Sequence, residues 1–464
     1  MRYNISIMPA TKRYVLIAAT LGAFLIPFMG SALNIALPAI GKEFAMEATL
    51  LPWVTTAYLI AAAAFLVPFG KLSDIYGRKK IFTLGTLVFT LSSLMAALST
   101  SPAMLMAARV IQGISGAMIF GTSIALLISV YPPGERGRVL GINVASTYFG
   151  LSIGPFFGGI LTDHFGWRSI FYVNVPLGLL VLALLVWKLK EDWATARGEC
   201  FDIPGAIIYS LMLIAITYGL ALLPSIVGIC LFAAGALAIA AFVKWELRVK
   251  NPVLDIKLFR NNIVFALSNV AALINYSATF ALGFLLSLYL QYIKGFTAEH
   301  AGFILVTQPV VQAIFSPIAG KLSDRLEPLV LASIGMALSA VGLSLFIFLS
   351  RGTSIAFIIG GQVLLGFGFA LFSSPNTNAV MSSVENRYYG VASATVATMR
   401  QVGMTLSMGI AAVLFAVYIG KVQITPEYYD AFLKSVKVAF IIFSCLCVAG
   451  VFASLARGKM HSKM

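Results

Sequence analysis

Fourteen long apolar segments dominate this sequence: 14–36, 51–70, 81–99, 103–130, 139–162, 169–188, 203–223, 225–244, 263–292, 300–320, 328–349, 354–378, 390–419 and 435–456. Each is long enough to cross a hydrocarbon layer about 30 Å thick, which takes ~20 residues of helix. In lipid every backbone N–H and C=O needs an internal partner, so only helices and closed barrels span it. Barrel strands are shorter and alternate polar with apolar residues. These segments do neither, so the pattern predicts an all-α membrane protein with fourteen spans. The first segment exceeds a signal-peptide core and lacks a clear cleavage site, and is read as an uncleaved span.

Charge supports the count. Of 464 residues, 60% are hydrophobic and 11% charged, which excludes an ordinary soluble enzyme and a disordered chain. A net charge of +15 would otherwise invite a nucleic-acid partner. The basic residues instead follow topology. With the N-terminus in the cytoplasm, 23 of the 32 Lys and Arg fall in cytoplasmic connections and termini. Seven fall outside (Lys42, Arg168, Lys294, Arg351, Lys421, Lys434, Lys437), and Arg109 and Arg400 lie within spans. This bias places both termini in the cytoplasm. The expected partner is the lipid bilayer, with no nucleic acid. No G-x-x-x-x-G-K-[ST] loop is present, so any transport runs on a gradient or downhill. Cys200, Cys230, Cys445, Cys447, His164, His300 and His461 show no metal-ligand spacing, so neither a metal nor another cofactor is expected. No nucleophile, base and orienting group occur together, which argues against an enzyme.

The string Gly-Lys-Leu-Ser-Asp occurs at Gly70–Asp74 and again at Gly320–Asp324, after spans 2 and 10. Two six-span halves would put the copies six spans apart, whereas they are eight apart. The simplest division is a first half at 1–190, two inserted spans at 191–262 and a second half at 263–464. Parallel repeats about the membrane normal are a known transporter plan.

At these residues the chain resembles the major facilitator superfamily. Gly70-Lys-Leu-Ser-Asp74-Ile-Tyr-Gly77-Arg78-Lys79-Lys80 matches that family's signature loop between spans 2 and 3. Arg109-Val-Ile-Gln112-Gly113 matches its intramembrane arginine motif. Gly150-x-x-x-Gly154-Pro155-x-x-Gly158-Gly159 matches the motif associated with antiporters. Trp167-Arg168-x-Ile-Phe171-x-Val-Asn174-x-Pro176 resembles the fourteen-span drug:proton antiporter branch. The resemblance implies the major facilitator fold, a gating role for Gly70, Asp74, Gly77 and Arg78, and export of small amphipathic molecules by alternating access, as in multidrug efflux. It further implies proton coupling and a prokaryotic cytoplasmic membrane. Both halves lie in one chain, so a monomer suffices.

Intramembrane charge is expensive and faces a cavity or a partner. Arg109 is about six residues (~9 Å) inside span 4, and Arg400 about ten (~15 Å) inside span 13. The resemblance implies a coupling or substrate-orienting role for Arg109 with Gln112, and Arg400 is a further candidate; both arginines, Arg400 more than Arg109, also suit a structural role. Gly150, Gly154 and Gly158 share one helical face, which is expected to meet a helix of the other half. Asn34, Tyr58, Asn143, Asn275, Gln308, Gln312, Asn376 and Asn378 are candidate cavity residues; each lone amide also suits interhelical bonding.

The sequence departs from its branch at Met29. The branch carries an acid there, a few residues before the string seen here as Asn34-Ile-Ala-Leu-Pro38. Either proton coupling uses an edge acid such as Asp74 or Asp163, or it is lost. The cavity is then expected to be net positive and to favour anionic, zwitterionic or neutral substrates. The alternative function is a dedicated metabolite exporter or uniporter without proton coupling.

Overall fold

The computed structural model describes residues 9–194, 196–254, 256–323, 325–384 and 389–456. Asp324, His461 and the basic residues Arg2, Arg387, Arg457, Lys459 and Lys463 lie outside them. Among the described residues, 14 helices are long and apolar enough to cross a membrane. They are α1 (Ala10–Glu43), α2 (Trp53–Tyr76), α3 (Arg78–Ala97), α4 (Pro102–Val130), α5 (Arg138–Phe165), α6 (Arg168–Lys188) and α7 (Ile203–Ala221). There follow α8 (Ile226–Glu246), α9 (Ile263–Ile293), α10 (Ala298–Ser323), α11 (Pro328–Phe348), α12 (Ile355–Ser382), α13 (Val391–Tyr418) and α14 (Pro426–Leu455). Each corresponds to one of the fourteen apolar segments.

Local chemistry sets the helix starts. Ser101, Asp202, Ser225, Asn262, Thr297 and Ser354 each accept a hydrogen bond from the backbone N–H three residues on, opening α4, α7, α8, α9, α10 and α12. This satisfies one of the donors that a helix N-terminus leaves free. Several ends overrun the apolar segments. Helix α2 continues through Gly70–Asp74 to Tyr76, and α14 is helical around Asp430, Lys434 and Lys437. Hydropathy marks where a helix stops tolerating lipid, whereas charged residues carry on the helix itself. Between α8 and α9 the chain adds a short helix at Ile256–Asn261.

The packing repeats. In the first six helices α1 packs on α5, α2 on α4, and α3 on α4 and α6. In the last six α9 packs on α13, α10 on α12, and α11 on α12 and α14. The two sets meet through α5–α10, α2–α13 and α1–α9, a reciprocal pattern. The repeat extends to detail: Ser73 Oγ donates to the Gly70 carbonyl at 2.7 Å, and Ser323 Oγ to the Gly320 carbonyl at 2.7 Å.

Helices α7 and α8 pack on each other, and α7 lies against both α2 and α13. Ser210 Oγ donates to the Ala64 carbonyl of α2 at 2.8 Å, while Leu220 of α7 sits over Gly409 of α13. The hairpin therefore covers one of the two seams between the six-helix sets.

Candidate functional site

The signature loop is a tight electrostatic knot. Arg78 donates from Nε and Nη2 to Asp74 Oδ1 at 2.8 and 2.6 Å. Its Nη1 reaches the Ala125 carbonyl at 3.0 Å and Ser129 Oγ at 2.6 Å, tying the loop to the end of α4. Gly77 has φ +119, and a Cβ there would lie 2.2 Å from Asp192 Oδ2. That conformation and that approach both need glycine. Gly70 is less confined: its Cβ would meet only the Gly121 carbonyl, at 3.9 Å. The segment after α6 straps the loop from outside. Asp192 Oδ1 accepts from Lys79 N at 2.9 Å, Arg78 N donates to the Trp193 carbonyl at 2.8 Å, and Ala196 N to the Asp74 carbonyl at 2.9 Å. Nothing in the sequence pattern announced this strap, because two of these bonds run between backbones and Asp192 reads as one more loop acid.

The far end of the bundle is closed across the two sets. Asp163, on α5, accepts from the backbone N–H groups of Ala298 and Glu299 at 3.2 and 2.8 Å. It thereby places a carboxylate on the N-terminus of α10, where helix dipoles favour negative charge. His164 Nε2 lies 3.2 Å from Glu299 Oε2. Gln291 donates to the Ile35 carbonyl at 2.9 Å, and Ala48 N to the Val422 carbonyl at 2.7 Å.

The antiporter-motif glycines pack differently from expectation. A Cβ on Gly150, Gly154 or Gly158 would meet Phe24 O at 2.6 Å, Ser31 Oγ at 1.8 Å or Ala32 Cα at 2.6 Å. All three partners are on α1, within the same set of six. The neighbouring face of α5 meets the other set: Ser152 Oγ donates to the Pro309 carbonyl at 3.0 Å, and a Cβ on Gly159 would lie 2.6 Å from the Ala298 carbonyl. Pro155 belongs to this second face, its carbonyl 2.3 Å from where a Cβ on Gly302 would sit. Small residues allow close approach on both faces, so spacing alone does not say which partner each one meets.

The two intramembrane arginines have different surroundings. Arg109 is 1% exposed. Its Nε donates to the Val54 carbonyl at 2.9 Å, its Nη1 to Gln112 Oε1 at 2.7 Å, and its guanidinium lies 4.6 Å from the Tyr58 ring centroid. Gln112 passes the chain on to Ser93 Oγ at 2.9 Å. Arg109 is thus packed behind Tyr58, which corrects the expectation of an unneutralised charge in the cavity. Backbone carbonyl, amide and ring face disperse that charge inside the α2–α3–α4 contact. Gly113 and Gly116 make the room: a Cβ on either would lie 2.4 Å from Tyr58 O or 2.6 Å from Tyr58 Oη.

Arg400, by contrast, lines a narrow cavity between α2, α4 and α13, with a volume of about 20 Å³. Tyr58, Phe120 and Gln401 line it too, and the Arg400 guanidinium stands 5.6 Å from the Phe120 ring centroid.

Of the candidate cavity residues, Tyr58 reaches this space. The structure places several of the others in helix–helix bonds instead. Asn143 Nδ2 donates to the Ala19 carbonyl at 3.1 Å and to Ser123 Oγ at 3.2 Å. Asn376 Nδ2 donates to the Ser268 carbonyl at 3.3 Å and Asn378 Nδ2 to Ser323 Oγ at 3.1 Å. Asn34 Oδ1 accepts from Thr55 Oγ1 at 3.4 Å. Gln308 and Gln312 pair with each other at 3.1 Å. Asn275 is fully buried, and neither of its amide atoms has a hydrogen-bond partner among the described residues. Met29, at the branch's acid position, faces α6, with Asn174 Nδ2 3.8 Å from its sulfur.

Sequence reasoning missed Asp202 and Glu246 as buried acids. They are 8% and 3% exposed. Trp245 Nε1 donates to both Asp202 oxygens at 3.2 Å, and Glu246 Oε2 accepts from Leu254 N at 3.0 Å. Both sit at span ends, where acids look solvated in a linear reading.

Residues 19–243 and 269–462 match the Major Facilitator Superfamily profile. The chain is 29% identical over 449 residues to the riboflavin transporter RibZ of Clostridioides difficile (strain 630), covering 95% of this chain and 96% of that protein. It is 33% identical over 418 residues to the multidrug resistance protein Stp of Mycobacterium tuberculosis (strain CDC 1551 / Oshkosh), covering 89% and 77%. It is 31% identical over 466 residues to the cephamycin export protein CmcT of Amycolatopsis lactamdurans, covering 97% and 94%. Among solved structures, a bacterial homolog of the human lysosomal transporter Spinster, inward-facing and occupied, shares the fold with a TM-score of 0.67 at 14% identity, covering 97% of each chain. With fourteen apolar helices in this arrangement, the chain belongs to the Major Facilitator Superfamily and is a multi-pass membrane transporter.

Proposed function

We propose that this transporter is a secondary active exporter of small amphipathic molecules, working by alternating access and driven by proton entry. The observation that carries the reading is the pairing of a mid-bundle cavity at Tyr58 and Arg400 with cross-set closure at the end where Asp163 caps α10. Rocking of the 1–190 and 263–464 units about that cavity would open one end as the other closes, with the Asp74–Arg78 loop as the gate at the opposite end. The Lys and Arg bias puts that loop and both termini in the cytoplasm. One chain carries both units, so the working form is a monomer. Stp and CmcT, by name a resistance protein and an export protein, favour export.

A second reading, transport of one metabolite without proton coupling, is favoured by the likeness to a riboflavin transporter over almost the whole of both chains. It is favoured too by Met29 at the branch's acid position. Everted membrane vesicles separate the two. Proton release on adding any of several unrelated amphiphiles, lost on Asp163→Asn, supports the first; uptake of one compound with no proton movement supports the second.

A further inference from the structure

We propose that Arg400 makes this cavity select substrates that carry an anionic group. The assignment rests on the transporter reading above and names the substrate class of the same site.

The argument begins with what neutralises Arg400. It stands against the aromatic face of Phe120 and forms no ion pair among the described residues. A guanidinium placed in a span and lacking a carboxylate is costly unless a ligand or water supplies the counter-charge. The second observation is Gln401, next along α13 and on the same cavity wall. Its Nε2 is buried without a hydrogen-bond partner among the described residues. Arg400 offers only donors, and Gln401 adds a free one. A carboxylate or sulfonate would satisfy both at once, and charge-assisted bonds of this kind are the strong ones. Arg109 does not compete for the anion, because it is committed to Val54, Gln112 and Tyr58.

Beside these two residues the walls are rings and aliphatic side chains, among them Tyr58, Phe120, Leu66 and Ala397. They suit the apolar part of an amphipathic ligand as the cavity opens. A cation in the same cavity would sit beside Arg400 in a poorly screened setting, and like-charge juxtaposition gives discrimination.

The test uses the full chain in proteoliposomes and a matched set of fluorescent naphthalene amphiphiles bearing a sulfonate, a hydroxyl or a trimethylammonium group. The wild type is expected to move the sulfonate at least about tenfold better than the trimethylammonium compound, judged by kcat/KM. Arg400→Gln is expected to bring the two within about twofold, and Arg400→Lys to keep the wild-type order. Movement of all three probes without charge order, or an order unchanged in Arg400→Gln, overturns the assignment while leaving the exporter reading intact. Failure of the wild type to move any probe overturns both. Should Arg400→Gln melt early, the wild-type order and Gln401→Ala, expected to weaken the sulfonate alone, still decide the matter.

Discussion

Asp163 of α5 and Glu299 of α10 meet through a carboxylate-to-amide bond of 2.8 Å that joins the two six-helix sets at one end of the bundle. The same carboxylate takes the Ala298 amide, so one side chain caps a helix belonging to the other set. A cap of this kind is worth about 1 kcal/mol. Asp163→Ala is expected to open this end about fivefold more often. The measurement is the maleimide labelling rate of Gly283→Cys, whose Cβ would lie 3.8 Å from Asn34 Nδ2 between the sets, with the four native cysteines replaced. An unchanged rate would show that the cap does not hold the end shut.

The signature loop makes a contrast between its two glycines. Gly77→Ala places a Cβ 2.2 Å from Asp192 Oδ2 at a φ of +119, whereas at Gly70 the nearest atom is 3.9 Å away. Gly77→Ala is expected to remove most transport, about tenfold or more, and Gly70→Ala to stay within about twofold. Equal effects of the two in a vesicle assay would contradict the strap geometry.

On α5, Gly158→Ala drives a Cβ to 2.6 Å from the Ala32 backbone, while Gly30 has nothing within 4 Å of its Cβ position. Backbone cannot rotate away as a side chain can, so Gly158→Ala is expected to cost about 1–3 kcal/mol of stability. Gly30→Ala should melt like the wild type. Thermal unfolding in detergent reads both.

The α7–α13 seam offers a lock. The Leu220 Cβ lies 3.8 Å from the Cβ position of Gly409, close to the ~3.8 Å of a disulfide. Leu220→Cys with Gly409→Cys, in a chain without its native cysteines, is expected to crosslink on oxidation and stop transport, with recovery on reduction. Since Ser210 ties α7 to the α2 backbone, the prediction treats α7 as moving with α2 and past α13. Full transport in the crosslinked form would mean that the seam does not slide.

Arg109 packs against Tyr58. Its guanidinium holds the ring at 4.6 Å while bonding Val54 and Gln112. Arg109→Lys supplies one charge without the planar fork, so it is expected to raise KM for the naphthalene sulfonate about fivefold or more while leaving the sulfonate-over-trimethylammonium order intact. Loss of that order would place Arg109 in the cavity after all.

The fourteen spans, their approximate ends and the motif positions were all legible in the sequence, because each depends on local composition. Twenty apolar residues must be helix in lipid, whatever surrounds them. The Gly-Lys-Leu-Ser-Asp string falls at the ends of α2 and α10, and the packing among α1–α6 recurs among α9–α14. Which way each residue faces was decided only by tertiary structure. A helix bounded by lipid on one side and protein on the other is apolar all round, so no periodicity separates its faces. For that reason Gly150, Gly154 and Gly158 turned out to meet α1, with Ser152, Pro155 and Gly159 meeting the other set. For the same reason two arginines that look alike in the sequence part company, Arg109 packed behind Tyr58 and Arg400 lining the cavity. The place of α7 against α2 and α13 was hidden as well, since its partners lie more than a hundred residues away in both directions and only packing brings them together.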